Sequence, residues 1–412
     1  MLQNPLRRII RAIAVTAGMA AYSLLGLAGY LEHTMAETFY VNPGEELVFA
    51  NQKMVVSQPQ QGYERIAAAN ESHAAGWTVD LKLFGVIPIK SAHVSRVETQ
   101  LVTPGGTPFG IKLFTKGVLV IDVSSIETAS GSICPAEAAN IKKGDIIESV
   151  AGKAITSNEE IGEIIAQSGG NPVNIRYIRG GQTLQTKLTP VASKSDGIYR
   201  GGIWVRDSSA GIGTITYYDQ ASGNFAGLGH GICDTDTGEI MPLSNGDVCP
   251  VKINSVKRGE IGSPGELRGS FTSNTPIGSL TLNNEAGIYG SLEEAPNQLD
   301  PVPIKLKQEV CTGPATILCT LSSGKLEEYD ILIEKVDLNP RTMTKNMMIR
   351  VTDEELLAQT GGIVQGMSGS PILQDGKLVG AVTHVFVNSP TKGYGIFIEN
   401  MLNYSNKLGK AS

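Results

Sequence analysis

"GGIVQGMSGSPILQDGKLVGAVTHVF", residues 361–386, sets Ser368 between Gly366 and Gly369, follows with Pro371, and runs straight into apolar residues of strand type. Such a stretch is either a tight turn or a turn built to expose a nucleophile. A serine hydroxyl is a poor nucleophile alone. It needs a base within hydrogen-bond reach and backbone donors where an oxyanion forms. Gly366 carries no side chain, so its N–H and that of Ser368 can converge on one point, while Gly369 lets the turn tighten. Ser370 is the rival nucleophile. Ser368 is preferred because the glycine two positions earlier supplies the oxyanion donor.

The order Gly-x-Ser-Gly-x-Pro is similar to the nucleophile turn of chymotrypsin-like proteases, whose usual form is Gly-Asp-Ser-Gly-Gly-Pro. Met367 and Ser370 depart from it. Without an acid at Met367, activation by a salt bridge to a new N-terminus is not expected. A serine turn of this kind requires a histidine, and the chain has five. His33, His73 and His93 lie far upstream with no acidic or cysteine neighbours at ligand spacing, and no metal site is expected. His230, in "AGLGHGICD", ends an apolar stretch and precedes the serine as the base of a barrel protease does. His384, in mid-strand after the serine, is a packing residue or borders the cleft. The third member must be a carboxylate that holds the imidazole tautomer. Asp234, Asp236, Asp247 and Asp353 are the candidates. Asp353 gives the order His, Asp, Ser, but "TDEELLAQTGG" also reads as a helix with Asp353 in its cap.

Working outward, residues 193–412 break into short strands with turns at roughly 8–12 residue spacing, the pattern of a sandwich or barrel. Residues 106–192 have a different texture. "PFGIKLFTKGVLVIDV" reads as strand, glycine turn, strand. A short helix opened by Pro135 follows, then a strand over Ile146–Val150 with a hairpin turn at Ala151-Gly152. A second helix capped at Ser157 or Asn158 is predicted, stopping at Gly169-Gly170. This order, with "CPAEAANIKKGDII", resembles a PDZ domain of exported bacterial proteases. That resemblance implies a peptide added as a strand, its carboxylate on the loop Thr115-Lys116-Gly117-Val118. The ligand is either a partner peptide or a segment of this chain.

Residues 37–105 read as a small β-rich region in which "EELVFA" and "LKLFGVIPIK" are the strand signals. Residues 12–31 carry no charge, follow Arg7, Arg8 and Arg11, and are long enough to cross a bilayer. Residues 1–36 are therefore a cytoplasmic stub with a transmembrane anchor, or a signal segment cut near Thr34-Met35-Ala36. Either way the bulk of the chain is extracytoplasmic. A net charge of −6 on 412 residues supplies no basic field for nucleic acid. Cys134, Cys233, Cys249, Cys311 and Cys319 form no C-x-x-C pair. Cys233 beside His230 is a weaker nucleophile candidate.

"DLKLFGVIPIKSAHVSRV", "GLGHGICD", "VTDEELLAQTGGIVQGMSGSPI" and "VGAVTHVFVN" with "GYGIFIE" together resemble the SpoIVB (stage IV sporulation protein B) peptidases of endospore-forming bacteria. The resemblance implies a mainly β fold: one N-terminal transmembrane helix, an α+β PDZ domain, and a chymotrypsin-like β-barrel serine endopeptidase without cofactor. It places the triad on His230, Asp353 and Ser368. It also implies secretion or anchoring in the intermembrane space of the forespore. There the enzyme would cleave itself and a protein that regulates an intramembrane metalloprotease, signalling to the mother-cell sigma-K pathway. The alternative is an inactive scaffold that keeps the barrel and binds peptides through the PDZ domain.

Overall fold

The computed structural model describes residues 5–59 and 76–408; His73 lies outside them. Helix α1, Pro5–Thr34, contains an apolar run over Ile9–Thr34 of 26 residues that stands clear of the rest of the chain. At 1.5 Å per residue it measures about 39 Å, enough to cross a hydrocarbon core of about 30 Å. Its last turn packs down: Leu31 and Met35 are buried against the sheet that follows. That sheet has the order Thr38–Val41, Ile87–Arg96, Trp77–Leu83, Val55–Pro59, with the first pair parallel. "EELVFA" is not a strand. Its alternation buries Leu47 and Phe49, but its backbone joins no ladder, and Ala50 N–H donates to Gln308 O.

Residues 108–123 depart from the expected hairpin. They form one strand, Pro108–Val123, of 16 residues. Gly117 adopts φ 77 inside it, and a Cβ there would lie 2.5 Å from Ile147 O. Glycine therefore serves close strand approach rather than chain reversal. The strand enters two separate cores. Its second half, with Ile146–Val150, Val173–Arg179 and Gln182–Leu188, makes the PDZ sheet. Beside that sheet stand α2 (Pro135–Ala138) and α3 (Asn158–Gln167), the latter capped by Ser157, whose Oγ accepts from Glu160 N–H. Ala151 and Gly152 take φ 53 and 83 in the hairpin turn.

The first half belongs to a barrel. Residues 109–115 pair with Leu243–Lys257, which pairs with Gly278–Asn284, then Gly287–Leu292, Asn224–Gly227, Ile203–Asp219, and back to residues 108–114. The ring closes with six antiparallel strands around Phe109, Ile111, Phe225 and Ile288. A second closed barrel contains Gly313–Thr320, Leu326–Val336, Met347–Val351, Ser389–Phe397, Lys377–Phe386 and Pro371–Gln374. It carries α4, Glu354–Thr360, and is followed by α5, Ile398–Leu408. Strand pairing crosses the expected 192/193 boundary here and the 105/106 boundary where Thr103 and Pro104 pair with Tyr218 and Tyr217. The PDZ unit sits between the first and second strands of the first barrel.

Candidate active site

The Gly366–Pro371 turn is held by the first barrel. Thr214 N–H donates to Ser368 O at 3.1 Å, Thr214 Oγ1 to Gly366 O at 2.8 Å and Thr216 Oγ1 to Gly369 O at 2.8 Å. The second barrel completes it through Gly369 N–H on Val382 O and Val382 N–H on Ser370 O. Gly366 and Gly369 both take φ 96, and a Cβ on Gly369 would lie 2.0 Å from Thr214 O. Side chains other than hydrogen have no room here. Met367 is fully buried in the core, the place an acid would occupy at a large desolvation cost.

The two serines differ sharply. Ser370 is buried and its Oγ has no hydrogen-bond partner. Ser368 is half-buried and lines a cavity of about 710 Å³ shared with His230, His384, Gly366, Thr383 and the wall Ser209–Ile212. Among the described residues the N–H groups of Gly366 and Ser368 donate to nothing, which leaves both available to an oxyanion. The Ser368 hydroxyl donates to Thr383 O at 2.7 Å, so it must rotate to reach a base.

His230 follows a turn in which Leu228 and Gly229 take φ 66 and 67. Its Nδ1 lies 2.9 Å from Gly231 O. A nitrogen against a carbonyl carries the proton, which leaves Nε2 as the acceptor a general base needs. Burial pulls the His230 pKa below the usual histidine range, partly offset by the Gly231 carbonyl. His384 stacks beside it, ring centroids 4.9 Å apart. Desolvation, then the neighbouring His230 and Lys345, pull His384 down to about 4. Both rings are therefore neutral at pH 7.

Asp353 lies elsewhere. Its Oδ1 accepts from Leu356 N–H at 2.8 Å as the cap of α4, and its Oδ2 accepts from Asp330 N–H at 3.4 Å. It is not among the residues lining the cavity. Asp234 is bound by Arg206 and by the N–H groups of Asp236 and Thr237, and Asp236 also pairs with Arg206. The structure thus brings Ser368, Gly366, His230 and His384 together and leaves these carboxylates outside. Cys233 is exposed as a residue, but partial desolvation of its thiol, with Glu239 nearby, raises its pKa, which disfavours the thiolate a nucleophile requires. All five cysteines are free thiols. Among the described residues no cluster of histidine, cysteine or acids suits a metal.

The Thr115–Val118 loop does not exist as such. Lys116 N–H donates to Pro242 O, Thr115 Oγ1 donates to Gly117 O and Asp207 O, and Thr115 and Val118 are buried. No motif in the sequence singles out the bracing threonines. The signal for them is "GTITYY", where Thr214 and Thr216, two apart, share one strand face.

The SpoIVB peptidase S55 family model matches residues 197–402, half of the chain, and a PDZ domain model matches residues 97–189. No curated protein matches. Among solved structures, the PDZ domain of an SdrC-like protein from Listeria monocytogenes is 26% identical over 22% of this chain and 87% of that one, with a TM-score of 0.18. The active form of the Rv3671c protease from M. tuberculosis is 12% identical over 59% of this chain and 82% of that one, with a TM-score of 0.29. By the match over residues 197–402, which hold the second barrel and the cavity that Ser368 shares with His230, the chain belongs to the SpoIVB peptidase S55 family and is a serine peptidase.

Proposed function

We propose that Ser368 is the nucleophile and His230 the general base of an endopeptidase. Ser368 Oγ leaves Thr383 O and attacks the scissile carbonyl while His230 Nε2 takes its proton. The oxyanion rests on the Gly366 and Ser368 N–H groups, and the same proton passes to the leaving amine. Water then attacks the acyl-enzyme, giving its proton to His230, and Ser368 is regenerated. The observation that carries this is the shared cavity in which Ser368, His230 and two uncommitted amide donors meet. Asp353 acts at a distance in this scheme. By capping α4 it fixes the segment that leads through Gly361 into the nucleophile turn.

The proposed setting is extracytoplasmic, with α1 as membrane anchor or cleaved signal, in the intermembrane space of a forespore. The proposed substrates are the chain itself and a protein that regulates an intramembrane metalloprotease, so that cleavage feeds the mother-cell sigma-K pathway. Family membership and the apolar helix support this reading. The hydrogen bond from Ser368 to Thr383 O favours the alternative of a silent peptide-binding scaffold. Labelling with a fluorophosphonate separates the two. Wild type labels at Ser368 and processes itself, and Ser368→Ala does neither. A Ser368→Ala protein that still processes itself overturns the assignment.

A further inference from the structure

The hairpin made by Trp77–Leu83 and Ile87–Arg96 ends in an apolar tip. Its turn, Leu83–Val86, closes with Val86 N–H on Leu83 O at 3.2 Å. Both central residues have positive φ, 54 at Phe84 and 72 at Gly85, as in a type I′ turn. Asn-Gly suits such a turn, and a bulky side chain at positive φ is strained. The chain nevertheless sets a phenylalanine there and leaves it in the open: among the described residues Phe84 is 54% exposed and Val86 78%. Phe84 N–H donates to Met54 O at 2.7 Å, and Met54 and Val56 are exposed as well. Val55 and Leu83, a cross-strand pair on the opposite face, are buried. The outer face of this sheet end is therefore apolar without covering a core.

The tip points back along α1. The helix lies against Ile87–Arg96, and its half-buried Leu24 and Leu27 pack, with Ile87, on the cluster that holds Leu31, Leu83 and Ile89. The parallel register of Thr38 with His93 and the bond from Lys90 Nζ to Met35 O at 3.2 Å set Met35 level with Lys90. Val86 precedes Lys90 by four positions, about 13 Å at 3.3 Å per residue. The same distance along the helix, at 1.5 Å per residue, leads from Met35 to about Gly26. Gly26 falls inside the uncharged run that ends before Glu32, about 9 Å beyond that first carboxylate. The exposed Tyr30 stands beside the boundary, where aromatic residues of a membrane–water interface sit.

We infer that the tip formed by Met54, Phe84 and Val86 enters the bilayer surface that α1 crosses, as a second membrane contact. A depth of about 5–10 Å is where apolar side chains of interfacial elements rest, between headgroups and acyl chains. The strained, exposed Phe84 then has a purpose that the fold alone does not give it: the ring is placed for lipid. A single helix leaves tilt and rotation to its neighbours and anchors. A hairpin seated beside it fixes both, and holds the sheet that follows α1 in one attitude on the membrane. The inference rests on α1 lying in a bilayer, which belongs to the proposed setting, and is independent of the catalytic assignment.

The test uses full-length Ser368→Ala protein, which cannot process itself by the proposed mechanism, reconstituted in phosphatidylcholine vesicles with or without bromine on the acyl chains. The parent fluorescence of Trp77 and Trp204, the two native tryptophans, is subtracted. Val86→Trp is expected to emit further to the blue and to be quenched about twofold or more by the brominated lipid, as a ring 5–10 Å below the surface requires. Tyr22→Trp, exposed on the apolar run, is the reference and is expected to be quenched too. A quenched Tyr22→Trp beside an unquenched Val86→Trp overturns the hairpin contact and leaves the anchor standing. No quenching at either position overturns both, and leaves the assignment of Ser368 untouched. Phe84→Asn separates lipid contact from folding. Asparagine suits the turn, so the thermal midpoint in detergent is expected to hold or rise, while quenching of Val86→Trp in that background falls. A lowered midpoint with unchanged quenching makes Phe84 a structural residue and overturns its part in the contact.

Discussion

The two barrels are built from very different stretches of chain. The second is continuous: all six strands fall within Gly313–Phe397, and it contains the turn of Ser368, the proposed nucleophile. The first carries His230 and takes one strand from residues 108–115 and the rest from residues 208–292, with the PDZ unit between. The nucleophile side is thus a local structure, whereas the histidine side depends on contacts far apart in sequence. Perturbations of the two sides should differ in kind.

The largest effect is expected where the barrels interlock. Gly369→Ala drives a methyl group into Thr214 O and should cost more than about 4 kcal/mol, the range of severe backbone collisions. Thermal unfolding and peptidase assays should show a sharply lowered Tm and no turnover; a folded, active variant would mean that the barrels meet differently. Next comes Asp353. As a helix cap, its change to Ala should cost about 1 kcal/mol in urea unfolding, while Asn should keep both the cap and kcat within about tenfold. A loss of about 10⁴-fold in kcat for Asp353→Asn, as for a tautomer-holding carboxylate, would instead require Asp353 to move to His230.

Acid should reveal the histidine side. His384 takes its proton only near pH 4 when folded, and His230 below its usual range, while both charge near 6.5 when unfolded. The unfolded chain then binds more protons between those values, so stability falls as pH drops from about 6.5 toward 4. His384→Gln should flatten that decline in a series of unfolding curves, and an unchanged slope would count against the burial of its ring. The smallest effect belongs to Ser370→Ala. It removes a buried hydroxyl without a partner, so stability should hold or rise slightly and kcat/KM should stay near wild type. Loss of activity there would reverse the assignment of the two serines.

The same contrast explains what the sequence made legible. Gly366, Ser368, Gly369 and Pro371 lie within six residues, so local chain geometry declared the turn. The α3 cap at Ser157 and the turn at Ala151-Gly152 were legible for the same reason. The Pro108–Val123 strand was not, because Gly117 carries the same signal in a reversal as in a crowded strand. What decides between them is Ile147, thirty positions away. Asp353 posed a related difficulty: its cap signature and its place in the order His, Asp, Ser are both visible in sequence, and only the third dimension distinguishes them. The bracing by Thr214 and Thr216 crosses more than 150 residues, and no local pattern encodes it.

The insertion also bears on how the molecule reaches its fold. The first barrel requires residues 108–114 to find residues 208–214, a closure whose entropic cost grows with the intervening chain. The PDZ sheet pairs Leu119 with Arg206, and so brings the two strand ends together when it forms. Once that sheet exists, the barrel strands zip from an adjoining register instead of searching for one another across a long loop. The inserted unit is then an internal folding template. The histidine side of the cleft then depends on the PDZ unit for its closure, although the serine side does not.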